Sequence, residues 1–282
     1  MANILLANDM VALGSMTISA LAPFMEARGH RVAKLPTGLV SNNFSFGSYV
    51  MRDCTDYVKE SLLVWQKLGF SFDAAASGFL FSDEAAEVLL DYQRNNKVGL
   101  WVHDPIMGDE GDFYHGLGDE LLARNIKMAE AADVMVPNYT EAYLLLGEKP
   151  PEVASHDEMN HLLKRLLKLG SASWVITSVP TEDKERGEIW IGTKEGIEVV
   201  SYPVVAEARV VGTGDLFTGY FVMSLLDQKK LTTEILAQGA KDAARALVLI
   251  LKAVGPQKET DPMGMLLDKR LIDAMDTWNP TI

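Results

Sequence analysis

Short β-rich runs alternate with amphipathic stretches along nearly the whole chain, and this alternation restricts the fold to βαβ units around a mostly parallel sheet. The expected strands are Asn3 to Ala7, Arg31 to Leu35, Asp73 to Ser77, Val98 to Val102, Val134 to Val136, Ser173 to Thr177, Glu188 to Ile191 and Ile197 to Tyr202. Apolar spacing of three and four predicts helices near 15–28, 55–68, 83–94, 117–131, 139–146, 156–169, 215–226 and 233–251. The pattern continues without a linker, so residues 1–282 read as a single α/β domain, closed by a short helix near 266–276. Glu188 to Pro203 reads as two adjacent strands with a turn at Thr193 to Gly196, hence an antiparallel edge. Pro36 to Gly47, rich in Ser, Asn, Gly and aromatics, is expected to be a loop or flap.

Charge and composition remove several classes of function. The chain has 26 Lys+Arg against 39 Asp+Glu, a net charge of −13, which argues against tracking nucleic-acid phosphates and against docking on anionic lipid. No apolar run is long enough to span a bilayer; Ala243 to Val254 comes nearest and is interrupted by Arg245 and Lys252. The lone Cys54 excludes an internal disulfide and any multi-cysteine metal site, which points to a reducing, cytoplasmic setting. Met1 to Ala7 lacks the basic start of a signal peptide.

Ligands of open α/β sheets sit at the carboxyl ends of strands, so the segments following strands are where chemistry belongs. After Val102 comes His103-Asp104-Pro105-Ile106-Met107-Gly108-Asp109-Glu110-Gly111-Asp112, a run of acids that suits Mg²⁺ but reads equally as a solvated turn. Val210-Val211-Gly212-Thr213-Gly214-Asp215 leads into an apolar helix: glycines there expose backbone N–H groups that cradle an anion, and an Asp can act as a base. A glycine turn with an N-cap is the plainer reading of the same residues. Asn138 and Glu141 open another helix with capping-box spacing, and Thr177-Ser178 ends a buried strand in two hydroxyls. His103 and His115 read as flanks of the acidic loop, His30 as a partner of a helix dipole, His156 and His161 as exposed surface, and Cys54 as structural rather than nucleophilic.

Taken in order, these segments resemble the ribokinase-like superfamily, and most closely its vitamin B6 branch, the pyridoxal and pyridoxamine kinases. Asp104-Pro105-Ile106-Met107-Gly108-Asp109 is similar to their Asp-Pro-Val-Met-Gly-Asp, and Pro137-Asn138-Tyr139-Thr140-Glu141-Ala142 to their Pro-Asn-x-x-Glu-Ala. Gly212-Thr213-Gly214-Asp215-Leu216-Phe217 matches their Gly-Thr-Gly-Asp-Leu-Phe. Asn8-Asp9-Met10 through Gly14-Ser15, Leu35-Pro36-Thr37 and Ser41-Asn42 resemble the N-terminal pattern, so the likeness runs from residue 4 to about 226.

The resemblance implies a three-layer α/β/α sandwich and ATP-dependent phosphorylation of the 5′-hydroxymethyl group of pyridoxal, pyridoxamine or pyridoxine. It implies Asp215 as the base, the amides of Gly212, Thr213 and Gly214 as stabilisers of the moving phosphoryl group, and Asp104, Asp109 and Glu141 as organisers of Mg²⁺, partly through water. Asn138, Ser178 and Thr213 would contact nucleotide phosphates, and Thr37 the pyridine ring. ATP and Mg²⁺ are the implied cofactors, with a K⁺ requirement left open, and a homodimer is the implied assembly. The chain departs from the family at Asp9, where a Ser commonly meets the ring nitrogen, at Val136, where a Thr precedes the Pro-Asn pair, and at Ser41-Asn42-Asn43-Phe44. The alternatives are a hydroxymethylpyrimidine kinase of thiamine synthesis and a non-catalytic binder of B6 vitamers or nucleotide.

Overall fold

The computed structural model describes residues 1–257 apart from 97 and 209, together with 259, 263 and 264. The helix expected near 266–276 lies outside the described residues. In chain order the elements are β1 (Asn3–Leu13), α1 (Thr17–Ala27), β2 (Arg31–Asn42), β3 (Met51–Asp53), α2 (Thr55–Lys67), β4 (Ala74–Ser77), α3 (Asp83–Asn96), β5 (Leu100–His103), β6 (Gly108–Asp109), β7 (Asp112–Phe113), α4 (Glu120–Ala129), β8 (Val134–Met135), α5 (Tyr139–Leu144), α6 (His156–Leu166), β9 (Ser173–Pro180), β10 (Arg186–Thr193), β11 (Ile197–Pro203), α7 (Thr213–Leu225) and α8 (Thr233–Val254).

Nine strands form one sheet in the order β11-β10-β9-β8-β5-β4-β1-β2-β3. The pairs from β9 through β8, β5, β4 and β1 to β2 are parallel. Successive side chains point to opposite faces of a strand, and β1 shows the result. Ile4 and Leu6 pack with Phe24, Tyr220, Phe221 and Ala240 of α1, α7 and α8 on one face. Leu5 and Ala7 pack with residues of α2 to α6 on the other. Both faces of the sheet are thus covered, the three-layer α/β/α arrangement of a ribokinase-like fold. Trp101, Trp174 and Trp190 are fully buried on the second face, where truncation of any one to Ala would cost roughly 3–5 kcal/mol.

Three expectations need correction. β10 pairs antiparallel with both β9 and β11 to form the expected edge, but β3 pairs antiparallel with β2 and makes a second such edge on the opposite side. Pro36 to Asn42 is not loop: β2 continues to Asn42, and only a 3-10 turn at Phe44–Phe46 and the residues up to β3 remain irregular. β1 likewise runs past Ala7 to Leu13, because pairing with β2 resumes at Met10 after an irregularity at Asp9. That irregularity sets two residues, Thr37 and Gly38, against Asp9 alone and re-aims it, as bulges commonly do beside active sites. No helix among the described residues is long and apolar enough to cross a membrane.

Candidate active site

A cavity of about 650 Å³ opens at the carboxyl ends of β1, β5, β8 and β9 and at the N-terminus of α7. It is the size of a small-ligand site. Asp9, Asp104, Asp109, Glu110, Glu141 and Asp215 line it, and no described Lys or Arg does. The strand ends therefore bring together acids that lie up to 206 residues apart in the chain, between Asp9 and Asp215.

Asp215 stands in the first turn of α7, whose N-cap is Gly212 with φ +87°, a left-handed conformation that glycine adopts without penalty. Its Oδ2 accepts the backbone N–H of Thr17 at 2.9 Å, while burial raises its carboxyl to about 6. A group held there is ionised at neutral pH yet remains a competent base. The two glycines of the loop differ in the room around them: Gly214 has nothing within 4 Å of where a Cβ would sit, whereas a Cβ on Gly212 would touch Met16 Cγ at 3.4 Å. For Gly212→Ala the strain of the backbone, about 1–2 kcal/mol, should outweigh this ordinary contact. The variant is expected to melt roughly 2–8 °C lower in a thermal scan. An unchanged melting temperature would mean that the loop does not need its left-handed turn.

Asp104 follows β5, and its Oδ2 accepts the Thr218 hydroxyl at 2.8 Å. Burial first, then Glu141 and Asp215, push its carboxyl well above the usual range. Glu141 is 2% exposed. Its Oε1 accepts the Met107 N–H at 2.8 Å and the Gly108 N–H at 3.4 Å, and its Oε2 accepts the Asn138 N–H at 2.9 Å. Asn138 closes the capping box by accepting the Glu141 N–H at 2.9 Å and donates Nδ2 to the Gly108 carbonyl at 2.8 Å. One buried carboxylate and one amide thus fasten the acidic loop to the start of α5. Burial pushes Glu141 up to about 7 even against these backbone bonds. Asp109 lies on the β6–β7 hairpin, more exposed, its carboxyl raised by partial burial.

Ser178 reaches the cavity from a left-handed backbone, φ +57°, where β9 carries one residue more than β10 and the register shifts. Thr17, Ile106 and Glu110 also line the cavity with positive φ, of 49°, 41° and 52°. Strained residues of this kind persist where the surrounding structure holds them, typically at functional sites.

Several sequence readings change. Thr37 is off the cavity wall: it is fully buried, and its hydroxyl donates to the Phe79 carbonyl at 2.5 Å. His103 is no flank of the acidic loop but a buried core group, its Nδ1 2.8 Å from Ser77 Oγ and its Nε2 2.7 Å from Asn125 Oδ1. Burial lowers it to about 4, so the ring is neutral and braces the strand end that carries Asp104. His30 also departs from its reading: its Nδ1 accepts the Ala2 N–H at 3.3 Å, and burial lowers its pKa. The reading of Cys54 as structural is unchanged: its thiol is pushed up by burial and by Asp53, unlike a nucleophile.

Thr17, Thr218 and Tyr114 escaped the sequence reading. Burial, together with Glu141, Asp109, Asp104 and Asp215, drives the Tyr114 phenol well above its ordinary range, a measure of how closely the four carboxylates converge. Thr218 falls three residues after Asp215, one turn along α7, and that spacing was the available signal. Phe44 of the flap packs on Tyr49 at 4.8 Å and lies 6.0 Å from Phe79 and 6.2 Å from Tyr114, so the flap forms an aromatic wall.

Among the described residues no group of three or more His, Cys, Asp or Glu forms an all-protein metal cage. The donor set suits Mg²⁺ nonetheless, because that ion keeps several waters and takes only one or two carboxylates beside substrate phosphates. Buried Asp104 and Glu141 raise the same local need for a cation.

The fold and the strand-end cavity define a ribokinase-like α/β protein. The chain belongs to the phosphomethylpyrimidine kinase family, whose model matches residues 24–253. Its curated relatives are described as pyridoxal kinases. The one from Rubrobacter xylanophilus is 28% identical over 236 residues, covering 79% of this chain and 79% of the relative. One from Schizosaccharomyces pombe, whose description is putative pyridoxal kinase, is 25% identical over 213 residues, and the match spans 70% of this chain but only 60% of that relative. A structure from Bacteroides thetaiotaomicron, described as a phosphomethylpyrimidine kinase and solved in a crystal form with pyridoxal, superposes with a TM-score of 0.86 at 26% identity, covering 96% of this chain and 95% of that one.

Proposed function

We propose that this protein is an ATP-dependent kinase that phosphorylates the 5′-hydroxymethyl group of a B6 vitamer. The observation that carries the reading is the pairing of Asp215, a carboxylate raised to about 6, with the glycine-bounded N-terminus of α7 on one cavity. Relatives described as pyridoxal kinases support the choice of substrate.

In this reading Asp215 takes the proton of the substrate hydroxyl as its oxygen bonds to the γ-phosphorus of ATP, and the bond from that phosphorus to the β,γ-bridging oxygen breaks, so that ADP leaves with the electron pair. The N–H groups of Gly212, Thr213 and Gly214, strengthened by the α7 dipole, meet the charge spreading over the transferred phosphoryl group. Thr17 orients Asp215 by donating its N–H. Asn138, Ser178 and Thr213 hold nucleotide phosphates, with Asn138 offering its remaining amide hydrogen. Mg²⁺ neutralises phosphate charge when bound with ATP, and Asp104, Asp109 and Glu141 are the residues that would hold it, Glu141 chiefly by bracing the loop. A cytoplasmic setting and a homodimer belong to the same proposal.

The test is magnesium-dependent ADP release with ATP and a panel of pyridoxal, pyridoxamine, pyridoxine and hydroxymethylpyrimidine. Turnover of a B6 vitamer is the expected result. Turnover of the pyrimidine alone would move the protein to thiamine synthesis, and binding of a vitamer without ADP release would make it a non-catalytic binder.

A further inference from the structure

Asp9 has a carboxyl oxygen, Oδ1, that is buried with no hydrogen-bond partner, on a residue only 2% exposed at the cavity wall. Its main chain leaves little freedom. The Asp9 N–H donates to Asn8 Oδ1 at 2.9 Å, and the Asp9 carbonyl accepts the Thr17 hydroxyl at 2.8 Å. Asn8 Oδ1 also accepts the Phe79 N–H at 2.8 Å, so the bulge that aims Asp9 is itself tied down. Thr17, which holds the Asp9 carbonyl, is the same residue that donates to Asp215. A buried oxygen without a donor costs free energy, which a ligand that supplies the donor returns. No described Lys or Arg lines the cavity to supply one, and Asp215 adds a second negative charge nearby. Burial, then Asp215, raises the Asp9 carboxyl to about 8, and a cation brought against it would favour the ionised form again.

We propose that Asp9 is a specificity-determining residue that pairs with a protonated amine on the substrate, so that the site prefers an aminomethyl-bearing vitamer to its hydroxymethyl counterpart. This rests on the B6-kinase reading and names the substrate within it. Pyridoxamine and pyridoxine make the cleanest comparison, because they differ by CH₂NH₃⁺ against CH₂OH at one ring position. The ring nitrogen is common to both, so the difference between them isolates the ammonium group, which adds an ionic hydrogen bond that the hydroxyl cannot, and charge-assisted bonds are about twice as strong as neutral ones. The positioning of Asp9 and Asp215 by one threonine ties recognition of the amine to the placement of the reacting hydroxyl.

The experiment compares kcat/KM for pyridoxamine and pyridoxine in the wild type and in Asp9→Asn. The wild type is expected to favour pyridoxamine by about tenfold or more, and Asp9→Asn to bring the two within roughly threefold, chiefly by raising KM for the amine. Calorimetric titration of each vitamer without ATP should show the same change in relative affinity. The Asn variant keeps the shape of the side chain, and a thermal scan verifies that it folds. A wild-type preference for pyridoxine, or an amine preference that survives in Asp9→Asn, would overturn the inference while leaving the kinase reading intact. Turnover of no B6 vitamer by the wild type would overturn that reading and this inference with it.

Discussion

Asp215→Asn should lower kcat by roughly 10² or more while the protein stays folded, as expected when a general base is lost from a site that otherwise keeps its geometry. The amide can still accept the Thr17 N–H that Asp215 Oδ2 accepts at 2.9 Å, so α7 and its glycine turn need not move. Removing a carboxyl that burial already disfavours in its charged form should not lower the melting temperature. The pH profile separates this from a packing defect. A base works only when ionised, and burial sets Asp215 at about 6, so wild-type activity should climb as pH rises through about 6 and flatten above it. The same limb should vanish from the residual activity of the Asn variant. Steady-state kinetics from pH 5 to 8 decide the matter, about one unit below to two above the group concerned. A variant with wild-type kcat would remove Asp215 from the chemistry altogether.

The second large effect is expected at Glu141, and it should appear in stability as well as activity. Its carboxylate accepts backbone N–H groups from Met107, Gly108 and Asn138 at 2.8, 3.4 and 2.9 Å while 2% exposed. Glu141→Ala strands those donors, at about 1–3 kcal/mol for each buried group that water does not reach. A net loss of about 3 kcal/mol, hence a fall in melting temperature of roughly 6–12 °C, follows for a chain of this size. The loop carrying Asp104 and Asp109 should loosen with it, so activity should require more Mg²⁺ for half-saturation. Asp109→Ala offers the contrast: among the described residues its more exposed side chain bonds only its neighbour Glu110, so it should shift the Mg²⁺ requirement with little change in melting. Equal melting of Glu141→Ala and wild type would show that the carboxylate does not brace the loop.

The difference between these residues was not visible along the chain. Asp104, Asp109 and Glu141 looked alike as acids near strand ends, and a helix-cap spacing identified only one of the bonds that Glu141 makes. That it also holds Met107 and Gly108, 34 and 33 residues away, depends on the parallel adjacency of β5 and β8. Thr37 illustrates the converse: its match to the family pattern implied a contact with the pyridine ring, but the continuation of β2 carries its hydroxyl to the Phe79 carbonyl. Asn8-Asp9 resembled the end of a strand because polar residues rarely continue one. Pairing with β2, which includes Asn8 and resumes at Met10 as far as Leu13, overrode that local preference.

Local periodicity determined the order of strands and helices, since alternation of period two and spacing of three and four are written in neighbouring residues. The glycine turn before α7, the capping box of α5 and the antiparallel β10–β11 edge were legible for the same reason, each being a short-range pattern. Only the tertiary structure decided which acids share one cavity, which of them are braces and which are free, and that Asp9 Oδ1 is left without a partner. Those properties depend on burial and on contacts between distant segments, and no spacing within one segment encodes them.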